Sequence, residues 1–101
     1  MKKIINGKLY NTETAKKLAE FSNDCICSDF RYFEESLYRK RTGEYFLYGF
    51  GGPLTSYAKK LENGYRSGCA IRPLTEAEAC EWAEDHISAD AYINIFGDIE
   101  E

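Results

Sequence analysis

Residues 31–53, RYFEESLYRKRTGEYFLYGFGGP, leave the chain few ways to fold. Two runs rich in Tyr, Phe and Leu flank Arg41-Thr42-Gly43. A three-residue loop with Gly at its left-handed position closes an antiparallel hairpin through a G1 bulge. That register sets Lys40 opposite Glu44, Tyr38 opposite Phe46 and Leu37 opposite Leu47, all favourable cross-strand neighbours. Apolar side chains then fall on both faces. One face is expected to pack on helices while the other carries Tyr38, Phe46 and Tyr48. Gly49-Phe50-Gly51-Gly52-Pro53 ends the hairpin.

The flanking segments supply the remaining elements. KKIINGKLY holds Asn6-Gly7, the strongest two-residue hairpin signal, because a type I′ turn needs positive φ at both central positions. Ile4, Ile5, Leu9 and Tyr10 are expected to pack. NTETAKKLAEFSN, residues 11–23, reads as a helix capped by Asn11 or Thr12, with Ala15, Leu18, Ala19 and Phe21 or Ser22 at helical spacing. Residues 23–30, NDCICSDF, read as a connection. TSYAKKLEN, residues 55–63, reads as a short helix ended by Asn63-Gly64, and GCAIRPL as a short strand with Pro73 at its edge or end. Thr75 and Glu78 form a capping box, after which Ala79, Trp82, Ala83, His86 and Ile87 recur on one helix face. Ser88 caps a second short helix, ADAYINIF, which Gly97 ends. The order is ββ-α-ββ-(α)-β-α-α. It predicts an α+β fold, a small antiparallel sheet built from hairpins with helices packed on one face. All 101 residues form a single domain.

Eight Gly and two Pro are too few for a disordered or low-complexity chain. No run approaches the ~18 apolar residues of a membrane span. MKKIINGKLY lacks the apolar stretch of a signal peptide, so the expected location is the cytoplasm. In that compartment Cys25, Cys27, Cys69 and Cys80 are expected as free thiols, Cys69 and Cys80 as small core residues and the other two in a loop. Cys25-x-Cys27 has no matching second pair, so no metal and no other cofactor is expected.

Nothing in the chain spells out a catalytic motif. Gly49-x-Gly51-Gly52 is not GxGxxG, and no GK[ST] follows it. None of the serines sits in a nucleophile elbow. The one His, His86, falls on the apolar side of its helix and is expected to be a core residue bonded through one nitrogen. An enzyme is not expected, and no catalytic residue is assigned.

Charge points instead to surfaces. Residues 1–75 hold all thirteen Lys and Arg against eight Asp and Glu, about +5. Residues 76–101 hold nine Asp and Glu and no Lys or Arg, −9. Glu76 and Glu78 suit the first turn of a helix, where the dipole favours acids. Glu81, Glu84 and Asp85 have no such reason to be there, because they repel at i, i+3 and i+4. Glu78, Glu81, Glu84 and Asp85 are therefore the candidate partner-binding face, an acidic surface able to occupy a groove shaped for phosphates. The alternative is the hairpin: Arg39, Lys40 and Arg41 at its tip, with Tyr38, Phe46 and Tyr48 behind them, offer cations to phosphates and rings to bases.

Taken together, KIINGKLYNTETAKKLAE, LYRKRTGEYFLYGFGGP, IRPLTEAEACEWAE and AYINIFG resemble a family of small proteins of Gram-positive bacteria, their phages and mobile elements. The LYRKRTGE-FLYG-GGP segment is the most specific part, and DCICS departs from the pattern. The family is associated with anti-CRISPR candidates, and no catalytic residue comes with it. The resemblance implies a non-enzymatic inhibitor of a CRISPR-Cas effector. Its acidic helix would compete for a nucleic-acid channel or protospacer-adjacent-motif site on a Cas nuclease. Two other readings stay open: a nucleic-acid-binding accessory protein using the hairpin, and a general protein-interaction module.

Overall fold

In a computed structural model, residues 1–26 and 28–97 are described. Its strands are β1 (Lys2–Ile5), β2 (Lys8–Asn11), β3 (Lys16–Ser22), β4 (Phe33–Arg39), β5 (Tyr45–Gly51), β6 (Lys59–Leu61), β7 (Gly64–Arg66) and β8 (Gly68–Leu74). Two helices follow, α1 (Glu76–His86) and α2 (Ala89–Phe96). The architecture is α+β: a four-stranded antiparallel sheet in the order β3-β4-β5-β8, two separate two-stranded sheets, and the helices packed on one face.

The central hairpin has the register its residues specify. Leu37 pairs with Leu47 and Tyr38 with Phe46. The Lys40 N–H donates to the Glu44 carbonyl at 2.7 Å, and Gly43 takes φ 93° to close the turn. Asn6 at φ 51° and Gly7 at φ 78° make the left-handed turn between β1 and β2. Pro73 lies on the edge strand β8, the place in a sheet that tolerates a missing N–H. Thr75 and Glu78 form the capping box of α1, and the Ser88 hydroxyl caps α2 by accepting from the Ala91 N–H.

Residues 11–23 are not a helix. The Asn11 side chain accepts from the Glu13 N–H and its carbonyl from the Thr14 and Ala15 N–H groups, so Asn11 holds a turn. β3 then pairs along β4, covering an edge that would otherwise be open. Its register shifts between Lys17 and Ala19. The irregularity lets the adjacent Leu18 and Ala19, together with Phe21, pack on the helix-side core. A bulged strand with two neighbouring apolar residues imitates the i, i+3, i+4 spacing of a helix, which is why the pattern misleads. Residues 55–63 are not a helix either. Lys59, Lys60 and Leu61 are all exposed, so a helix there would bury little, and Glu62-Asn63 instead turns β6 into β7.

The sheet is covered on both sides. On the helix side Leu37, Tyr45 and Leu47 pack with Ala79, Trp82 and Ala83. On the other side Tyr10, from the first hairpin, sets its ring edge-on to Phe46 at 5.5 Å, and Ile71 completes the cluster. Tyr38 stacks flat on Phe46 at 5.1 Å. Phe46 is thus completely buried rather than displayed, because the first hairpin folds over it. Within that hairpin Ile5 and Tyr10 pack, whereas Ile4 and Leu9 remain exposed.

Some expectations about small residues also change. β5 runs through Gly51, so Gly49 is a strand residue, and a Cβ there would run into the Tyr57 ring. Cys69 is exposed opposite Phe50, and Cys80 is only partly buried, so neither is a core residue. Cys25 lies in the loop after β3; Cys27 lies outside the described residues. Among the described residues no helix is long and apolar enough to cross a membrane.

Candidate acidic interface on helix α1

Trp82 fixes how α1 sits on the sheet. Its indole Nε1–H donates to Glu35 Oε1 on β4 at 2.9 Å, and the Tyr57 hydroxyl donates to Glu35 Oε2. Burial, then the bond to Glu35, raises the Tyr57 hydroxyl far above its ordinary range. Trp82 also stacks on His86 at 4.8 Å, and His86 Nδ1–H donates to the Trp82 carbonyl at 2.7 Å. The helix cannot rotate without breaking the Trp82–Glu35 bond.

The same rotation turns Glu78, Glu81, Glu84 and Asp85 outward, all four exposed. Among the described residues none of them makes an ion pair, the four ion pairs being Lys8–Glu44, Lys17–Glu20, Asp29–Arg31 and Lys40–Glu44. Glu78 has a second task. Its Oε1 accepts from the Thr75 N–H at 2.9 Å, and that backbone bond holds its carboxyl below the usual range. Among the described residues Glu81, Glu84 and Asp85 have no side-chain bond of this kind. Asp98, Glu100 and Glu101, part of the acidic end, lie outside the described residues.

The hairpin candidates do not assemble into one stacking platform. Tyr38 and Tyr48 are partly buried on the face of the sheet away from the helices, around the buried Phe46. Lys40 is a structural cation: its Nζ lies 3.2 Å from Glu44 Oε1 and 4.3 Å above the Tyr10 ring, with 15% of its side chain exposed. Lys8 holds the other oxygen of Glu44 at 2.9 Å. These contacts lower the Glu44 carboxyl to about 2, chiefly through the bonds from Lys8 and Lys40, and tie the first hairpin to the central one. Arg39 and Arg41 remain exposed, Arg39 with its guanidinium 6.0 Å from the Tyr45 ring.

Arg39, Lys40 and Arg41 share a groove of about 810 Å³ with Lys16 and Lys17 of β3, closed on one side by Asn94 of α2. The sequence reading missed the two lysines because it placed them on a helix. Among the described residues no group of three or more His, Cys, Asp or Glu is placed to hold a metal ion. A scan against protein-family models, a search of curated proteins and a search of solved structures found no match for this chain.

Proposed function

We propose that the chain is a non-catalytic inhibitor, acting in the bacterial cytoplasm, that binds a CRISPR-Cas effector. It presents the outer face of α1 to a basic, nucleic-acid-binding surface of that effector. The carrying observation is that Glu81, Glu84 and Asp85 stand exposed and, among the described residues, without ion pairs on a helix whose opposite side is locked into the core by Ala79, Trp82 and Ala83. Acids at i, i+3 and i+4 lie about 5–6 Å apart and repel, so a cationic partner relieves a cost that the free chain carries. The sequence resemblance is what points to a Cas nuclease.

The test is to titrate wild type and the triple variant Glu81→Gln/Glu84→Gln/Asp85→Asn against a Cas nuclease at low and physiological salt. Wild type should bind more weakly as salt rises, and the variant should lose most of the affinity while melting no lower. Equal affinities that ignore salt would remove the acidic face from the interface. A second reading, a nucleic-acid-binding accessory protein, is supported by the groove that gathers Lys16, Arg39 and Arg41, none of which makes an ion pair among the described residues. Selective loss of nucleic-acid retention in Lys16→Ala/Arg39→Ala/Arg41→Ala would favour it.

A further inference from the structure

β6 and β7 form a two-stranded ribbon that belongs to neither of the other sheets. All six of its strand residues are exposed, including Leu61 at 45% and Tyr65 at 58%. A two-stranded ribbon is marginally stable by itself. Here its base is firmly anchored. The Tyr57 ring packs against Gly49, its hydroxyl is bonded to Glu35, and its carbonyl lies so close to Gly68 that no Cβ would fit. The fold has its longest dimension at 49 Å and its shortest at 20 Å. Its radius of gyration, 14.7 Å, exceeds the about 13 Å of a compact chain this size.

The ribbon breaks a pairing rule. Its register sets Lys59 directly opposite Arg66, and Lys60 opposite Tyr65. Like charges in directly opposed positions destabilise a ladder. Among the described residues, neither Lys59 nor Arg66 has a carboxylate partner. Beside them opens a groove of about 750 Å³, lined by Lys59, Arg66 and Ser67 and by no acidic residue. Two facing cations that repel in the free chain become favourable once an anion lies between them.

From this juxtaposition we infer that the β6–β7 ribbon is a DNA-binding arm that inserts beside the phosphates of a B-form duplex, with Lys59 and Arg66, which share one face, as the phosphate contacts. The dimensions agree. Three strand residues span about 10 Å, close to the about 8.5 Å depth of the major groove, whose width of about 12 Å admits a two-stranded ribbon. Two facing cations, with the exposed Glu62 in the turn beyond them, suit binding to the backbone rather than reading of sequence. This arm is separate from the acidic face of α1 and does not depend on the role proposed for it.

The experiment is fluorescence anisotropy of a labelled mixed-sequence DNA duplex titrated with the full chain at two salt concentrations. Two phosphate contacts predict a slope of about −1.8 in log affinity against log salt, so a fourfold rise in salt weakens binding about 12-fold. Arg66→Ala should reduce the magnitude of the slope by about 1. Lys59→Glu converts the repulsive cross-strand pair into an attractive one. It should raise the melting temperature and weaken DNA binding at once, a combination that unfolding cannot produce. Absence of binding at low salt overturns the inference. So does binding that survives Lys59→Glu but is lost in Lys16→Ala/Arg39→Ala/Arg41→Ala, which moves the nucleic acid to the other groove. Equal affinity for a labelled polyglutamate would show an arm for acidic protein and likewise overturn it.

Discussion

Replacing Trp82 by Phe separates the network that orients α1 from the bulk of the core. Phe keeps most of the apolar ring that packs among Leu37, Leu47, Ala79 and Ala83, but it removes the Nε1–H that donates to Glu35 at 2.9 Å. A hydrogen bond to a charged group contributes about 1.5–3 kcal/mol, and the smaller ring adds a modest packing loss. A drop of about 2–4 kcal/mol is therefore expected, a large share of the about 5–15 kcal/mol available to a domain of this kind. The assay is urea denaturation followed by far-ultraviolet circular dichroism, since Trp82 is the single Trp and its fluorescence disappears with it. With a urea slope of about 1–3 kcal/mol/M, the midpoint should fall by about 1–2 M. Glu35→Leu supplies the second arm. In wild type it strands both the indole N–H and the Tyr57 hydroxyl, whereas beside Trp82→Phe it strands only the hydroxyl. The two changes should therefore couple by about 0.5–3 kcal/mol, with the double variant less damaged than the sum. A midpoint within about 0.3 M of wild type for Trp82→Phe, or strict additivity, would refute a load carried by the Trp82–Glu35 bond.

Other outcomes follow from single contacts. Glu44 has its carboxyl depressed from 4.5 to about 2 by Lys8 and Lys40, so the stability it contributes is present above pH 4.5 and is lost as pH falls towards about 2. Glu44→Gln should flatten that part of an acid titration followed by circular dichroism, and an unchanged acid limb would contradict the clamp. Gly49→Ala would drive a methyl into the Tyr57 ring, and overpacking of this kind costs about 1–3 kcal/mol, read as a lower melting temperature. Protein purified without added metal should contain less than about a tenth of an equivalent of zinc by elemental analysis. Near-stoichiometric zinc would bring Cys25 and Cys27 forward as ligands.

Local rules carried far in this chain. Arg41-Thr42-Gly43 and Asn6-Gly7 specify their hairpins because only certain residues accept positive φ, and the register follows from the turn. Thr75, Glu78 and Ser88 mark the helix starts because their side chains satisfy backbone N–H groups within a few residues. The acidic face was legible for the same reason: once α1 is a helix buried through Ala79, Trp82 and Ala83, Glu81, Glu84 and Asp85 must point outward. The same rules fail where the deciding partner is distant. β3 is a strand because the edge of β4 needed covering, and its irregular register disguised the period of two. Glu35, Tyr57 and Trp82 are spread over 47 residues, with no spacing that announces their shared hydrogen bonds. Lys40 looks like a free tip cation until Glu44, Lys8 and the Tyr10 ring close around it. Turns, caps and helix faces were readable along the chain, each set by backbone sterics and hydrogen bonds over a few residues. Which sheet edge was covered, which charges were neutralised and which ribbon was left bare emerged only on folding, because those depend on contacts between segments far apart in the chain.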